Sequence, residues 1–172
     1  MSFNIKNMKN VTVFILLLLI VVFSSCKTKD KAQSSTNDAD SLLVSIYKYP
    51  CFGRCPYYEA KIYASGYALF DGKRDTKNVG LFEATFNKKE IEELLNEAKR
   101  IGYMNMADSF YNPGLADFPA VITSIKLNDK RKTIYNCLPD APESLKMFQQ
   151  KIDAFFTNEN INWHLLKADQ EE

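Results

Sequence analysis

The sequence predicts an α+β domain, a mostly antiparallel sheet of about six strands with two helices on one face. Three observations predict it. Apolar residues recur at every second position in short blocks between Leu42 and Phe86, and again between Val121 and Leu138. The period changes to helical spacing after Asn87 and after Pro142. Turn-forming pairs, Ser65-Gly66, Asp71-Gly72 and Asn128-Asp129, separate the strand blocks. The expected order is a four-strand meander, a helix, a hairpin and a second helix.

The elements follow in turn. "LLVSIYKY" puts Leu42, Val44 and Ile46 on one face, with Leu43, Ser45, Tyr47 and Tyr49 on the other. In "YYEAKIY", Tyr58, Ala60 and Ile62 alternate with Glu59 and Lys61. Ser65-Gly66 leads into "YALF", Asp71-Gly72 marks the next turn, and "NVGLFEATF" supplies the fourth strand. Asn87 with Glu90 makes a capping box, followed by Ile91, Leu94, Leu95, Ala98 and Ile101, with Gly102 at the C-terminal cap. "YMNMADSFYNPGLADFP" has no clean period and reads as a long loop. Asn128-Asp129 joins "AVITSIKL" to "KTIYNCL". Asp140, Pro142 and Glu143 announce the last helix, whose buried stripe is Leu145, Phe148, Ile152 and Phe155. The domain therefore spans 42–157, and 158–172 reads as a loose polar tail broken by Trp163, Leu165 and Leu166.

Composition narrows the function classes. The 172-residue chain is 46% hydrophobic and 13% aromatic, enough for a real core. Lys and Arg number 22 against 21 Asp and Glu, so no basic surplus exists to neutralise a phosphate backbone, and nucleic acid is not an expected partner. No glycine-rich phosphate loop or HExxH stretch occurs. His164, the sole histidine, falls in the tail, which speaks against a Ser-His-Asp arrangement. Glu92-Glu93 lies off the apolar helix stripe and reads as a solvated face. Tyr47, Tyr49, Tyr57, Tyr63 and Tyr67 leave two readings open: an exposed aromatic face suited to an envelope protein or glycan, or packing beneath a helix.

Residues 1–26 concern location. Lys6 and Lys9 precede the apolar run Val11–Phe23, which is shorter than the ~20 residues that span a bilayer. Ser24 and Ser25 then precede Cys26. This arrangement resembles the signal peptide (1–25) and lipobox of a bacterial lipoprotein. The resemblance implies cleavage before Cys26 and acylation of its thiol and new amino group, with each buried CH₂ contributing ~0.8 kcal/mol to anchoring. Residues 26–41 then form a polar tether. Lys27 after the lipidated cysteine resembles lipoproteins sorted to the outer membrane, on its periplasmic or surface face.

In such an oxidising compartment, "CFGRCPYY" carries three readings. The first reads Cys51 and Cys55 as a disulfide that shapes the loop, worth only about 2 kcal/mol by chain entropy, with Gly53 permitting unusual backbone angles. A redox pair is the second reading, with Arg54 depressing the thiol pKa, although Cys-x-x-x-Cys between strands lacks the helix N-terminus such pairs favour. A Cys51, Cys55, Cys137 and His164 metal set is the third, and it depends on a residue in the tail. Cys137 reads as a small buried hydrophobe, with a bridge to Cys51 or Cys55 left open.

Together with the Gly66 turn, "ADFPAVITSI" and "APESL", this stretch resembles the bacterial envelope family known as domain of unknown function 6438, with a CFGxCPxY signature, over roughly Leu43 to Phe156. The resemblance implies an exported domain, often on lipoproteins, without an assigned activity. Its signature positions are Cys51, Gly53, Cys55, Pro56, Tyr58, Asp117 and Pro119. The expectation is a membrane-anchored binding or scaffolding module without cofactor or metal, whose candidate binding residues are Arg54, Tyr58, Tyr111 and Asp117. The alternative is a thiol-disulfide oxidoreductase using Cys51 and Cys55.

Overall fold

The structure is a computed structural model that describes residues 41–114 and 118–169. A meander of β1 (Leu42–Lys48), β2 (Tyr57–Tyr63), β3 (Tyr67–Arg74) and β4 (Gly80–Thr85) comes first. Helix α1 (Lys88–Arg100) follows, then a 3-10 turn at Tyr103–Asn105 and the two-residue strand β5 (Ser109–Phe110). The hairpin of β6 (Val121–Leu127) and β7 (Lys130–Asn136), helix α2 (Glu143–Thr157) and strand β8 (His164–Lys167) complete the chain. The strands form one sheet in the order β5-β7-β6-β1-β2-β3-β4-β8. Every pairing is antiparallel except the parallel β5–β7 contact.

The sheet has eight strands where the pattern led us to expect about six. Both additions are edges. β5 lies inside the stretch read as loop, and it is too short to display a period. β8 lies in the stretch read as tail, and its Leu165 and Leu166 are adjacent and both exposed, so no alternation marks it. His164 is therefore a strand residue opposite Glu83.

Local chemistry explains the turns. Asn128 and Asp129 both have positive φ, 47° and 62°, as a two-residue type I′ hairpin turn requires. Gly66 has φ 92°, and a Cβ there would stand 2.5 Å from the Phe86 carbonyl oxygen. The turn expected at Asp71-Gly72 falls later, because both residues lie within β3 and the chain reverses around Asp75, whose φ is 54°. Gly72 is needed for close approach instead, since a Cβ would sit 1.8 Å from the Asn78 carbonyl oxygen. At α1 both capping-box hydrogen bonds between Asn87 and Glu90 form, and Gly102 (φ 69°) follows the C-cap.

One face of the sheet is the core. Val44, Ile46, Tyr58, Ala60, Ile62, Phe70, Ile125 and Ile134 cluster with Ile91, Leu94 and Ala98 of α1 and Leu145, Phe148 and Ile152 of α2. Burying each large apolar side chain contributes ~1.5–3 kcal/mol relative to exposure. A bulge between Leu42 and Val44 shifts the register, so Leu43 packs against the core rather than on the outer face its parity suggested. In α2, Phe156 is fully buried while Phe155 is partly exposed and packs on Phe86, with ring centres 4.5 Å apart. Tyr47, Tyr49, Tyr57, Tyr63 and Tyr67 are absent from this cluster; they sit on the opposite face, half-buried or exposed, between polar residues such as Ser45, Glu59 and Lys61.

Candidate functional site

The connection between β1 and β2 is a braced ring. Cys51 and Cys55 form a disulfide with Cα atoms 5.7 Å apart. The Gly53 N–H donates to Cys51 Sγ at 3.3 Å, and Arg74 at the end of β3 donates to the Cys51 carbonyl at 3.4 Å. On the β1 side the Tyr49 N–H donates to the Ala120 carbonyl at 2.9 Å. Cys55 continues through Pro56 into β2, a strand, so no helix N-terminus lies beside either sulfur to favour a thiolate. Gly53 does not occupy a positive φ, and a Cβ there would meet only Cys51 Sγ at 3.9 Å. The ring needs no special backbone at that position.

The ring presents Phe52, which is 94% exposed, with Arg54 exposed beside it. A ring this tight has no interior, so a bulky apolar residue between its cysteines must face solvent. Phe52 and Phe118 line a shallow cleft together with Pro50 and Arg74. Next to it runs an aromatic patch. Tyr47 meets Tyr49 edge-on at 4.6 Å and Tyr57 at 6.0 Å, and the Tyr47 hydroxyl donates to that of Tyr57 at 3.2 Å. That hydrogen bond, with burial and nearby negative charge, pushes the Tyr47 phenol up to about 12. Tyr111 packs edge-on against Tyr135 at 6.2 Å. Burial raises the Tyr135 phenol, with Cys137, Tyr49 and Tyr111 adding to the shift.

Tyr58 goes elsewhere. Though expected as a candidate binding residue, it is fully buried, stacked on Phe70 at 4.8 Å. Its hydroxyl donates to one carboxylate oxygen of Asp153 on α2, and Lys48 pairs with the other at 3.0 Å. Burial first, then the Asp153 charge, raises the Tyr58 phenol. Tyr58 thus ties α2 to the base of the ring instead of meeting a partner.

Beside that tie lies a cleft of about 310 Å³ lined by Lys48, Val121, Asn136, Cys137, Gln149 and Asp153, among others. A polar chain supports its wall. Asn136 donates to Gln149 at 2.9 Å, Gln149 reaches Thr123 Oγ1 at 3.4 Å, and the Tyr103 hydroxyl lies 2.8 Å from the same oxygen. Buried amides are retained only when so satisfied. Cys137 is free and buried, and its thiol donates to the Phe118 carbonyl at 3.2 Å.

Of the candidate residues, Arg54 and Tyr111 are exposed at this end of the sheet, Tyr58 is in the core, and Cys26 and Asp117 lie outside the described residues, as do the signal peptide and tether. Sequence reasoning missed Phe52, Tyr135 and Gln149. The position of Phe52 inside the ring was the signal for the first, and a glutamine within the apolar stripe of α2 was the signal for the last. Among the described residues, no three His, Cys, Asp or Glu side chains group as a metal site.

Comparison with known proteins gives one finding on each side. Residues 42–156 match the family model described as "Domain of unknown function (DUF6438)". No curated protein matches the chain.

Proposed function

The chain belongs to the DUF6438 family, and from that premise we propose that it is a lipid-anchored bacterial envelope protein whose domain binds or scaffolds another envelope component. One observation carries the binding half of this reading: Phe52 stands 94% exposed on a disulfide-closed ring. A bulky aromatic on a stiff ring loses little conformational freedom when it docks, and aromatic anchors of this kind supply most of the binding energy at protein surfaces. Tyr49, Tyr111 and Phe118, each more than a third exposed, extend the apolar surface around it. Arg54 adds a cation at its rim. The anchoring half rests on residues 1–26, with Cys26 carrying the lipid.

Two measurements test the halves separately. Cys26→Ser moves the protein from the membrane to the soluble fraction; persistence on membranes overturns the anchor. A photo-crosslinking residue placed at position 52 in the full-length protein gives a discrete envelope adduct that disappears in the Cys51→Ser, Cys55→Ser double variant. A position 52 that yields no adduct in its native envelope overturns the loop as the binding surface. Both thiols found free and reactive in exported protein would favour thiol-disulfide exchange instead.

A further inference from the structure

The end of the sheet opposite the disulfide ring is where the domain joins the chain that precedes it. β1 starts there at Leu42, and its 7 residues, at about 3.3 Å each, carry the chain roughly 20 Å to the ring. The β6–β7 turn and α1 meet at this end around a shallow cleft of about 360 Å³. Half-buried Leu43, Ala64 and Leu95 give it an apolar lining, and Lys99, Lys126 and Asp129 a charged one.

The cations here are poorly neutralised. Lys126 donates to Ser41 Oγ at 2.9 Å and lies 3.5 Å from Asp129, whose side chain is 98% exposed, and a pair so open to water contributes little. Arg131 is held by neutral oxygens, the Ser124 hydroxyl at 3.0 Å and the Leu42 carbonyl. Lys88, Lys99 and Lys130 are exposed and form no ion pair among the described residues. On α1, Lys88, Glu92, Leu95 and Lys99 follow at helical spacing and share one stripe, the one that lines the cleft. Lys88, Lys99, Lys126, Lys130 and Arg131 thus stand against Glu92 and Asp129.

We propose that this end of the domain docks on an anionic phospholipid surface, its cations meeting headgroup phosphates and the apolar lining of the cleft meeting the glycerol region. Docking here presupposes the lipid on Cys26 proposed above. Residues 27–40 alone separate that lipid from Ser41, a span of about 20 Å for a polar coil of this length. The tether selects a bilayer over a soluble polyanion, because it holds this end at high effective concentration beside the headgroups. Contacts too weak to recruit a free protein then suffice to orient a tethered one. In that orientation the ring and Phe52 lie on the side away from the bilayer, open to a partner.

The lipidated full-length protein is reconstituted on vesicles of phosphatidylcholine alone or of phosphatidylcholine with phosphatidylglycerol. Flotation reports the anchor, and acylation of lysine amines by a succinimidyl ester, read by mass spectrometry, reports docking. Lys99 and Lys126 react at least about 5-fold more slowly on the phosphatidylglycerol vesicles, the effect of one cation at such a surface. Lys77, on the β3–β4 turn at the ring end, reacts alike on both. Molar salt, which cuts the screening length to about 3 Å, abolishes the protection. In a Lys88→Ala, Lys130→Ala variant, each lost cation weakens docking roughly 5-fold, so Lys126 becomes nearly as reactive as on neutral vesicles. Both replaced side chains are exposed, so the fold is retained, which circular dichroism checks. The proposal is overturned if protein that floats with both compositions shows equal lysine reactivity on them. It also fails if Lys77 is the lysine protected, or if the variant is protected as well as the parent. Protein that floats with neither composition lacks the anchor, and docking falls with it.

Discussion

Gly53 and Gly72 look alike in the sequence, each beside a turn, yet they answer to different demands. Gly53 sits in the disulfide-closed ring, but space and backbone there both admit a side chain. Gly72 sits within β3, where an added Cβ would approach Asn78 O at 1.8 Å, Thr76 Oγ1 at 2.8 Å and Phe70 Cε1 at 2.9 Å. Two of these are the loop's own backbone and a core ring, so neither can swing aside cheaply. Gly53→Ala is expected to change unfolding free energy by less than about 0.5 kcal/mol. Gly72→Ala should lose at least ~1–3 kcal/mol, the cost of overpacking. Urea unfolding of the two variants decides the matter, and equal midpoint shifts would contradict this account.

At the scale of elements, side-chain rhythm governs what a sequence reveals. The Cys51–Cys55 ring closes so short a loop that its loss should cost only about 2 kcal/mol. The Cys51→Ser, Cys55→Ser variant is therefore expected to keep the far-ultraviolet circular dichroism of the parent while unfolding at lower denaturant. Collapse of the sheet would show that the ring secures the fold, which its position at one end of β1 and β2 does not suggest. The same locality made β1 to β4, β6, β7 and both helices legible: each buries one face, and burial writes a period into the residues. β5 and β8 bury almost nothing and are held by backbone pairing to one neighbour, so no rhythm records them. The bulge at Leu43 was hidden for a related reason, since an extra residue inverts the parity on which the reading rests. The candidate site was half legible. Its cysteines and Tyr111 were visible by type, and the alternation with Ala60 and Ile62 already put Tyr58 on the apolar face of β2, where it lies opposite Gly72 in the core and not at a binding surface. Asn87→Ala offers a check on an element that was fully legible: loss of the capping box should cost about 1 kcal/mol. An unchanged thermal midpoint would deny the cap that role.

Across the whole molecule, the tyrosines divide between a buried core side and an outer face, and the ionisation of Tyr58 and Tyr103 should part from that of Tyr47 in the same way. Tyr58 and Tyr103 are fully buried on the core side, and desolvation is the main cause raising both phenols above the ordinary value of 10.0. Tyr47, on the outer face, is raised to about 12, mainly by its bond to Tyr57. A group whose folded pKa lies above its unfolded one binds its proton more tightly when folded. Its contribution is fully present below pH 10 and is lost as pH climbs through the folded value. For Tyr47 that window runs from 10.0 to about 12. For Tyr58 and Tyr103 the loss continues for as long as the fold holds, at up to about 1.4 kcal/mol per pH unit for each buried phenol. Alkali should therefore ionise Tyr47 reversibly, by phenolate absorbance, while circular dichroism stays native. The buried pair should then ionise in one cooperative step that coincides with unfolding, because burial disfavours both anions, and for Tyr58 the Asp153 charge adds to it. If Tyr58 and Tyr103 ionised with the fold intact, at or below the pH at which Tyr47 does, their place in the core would be wrong.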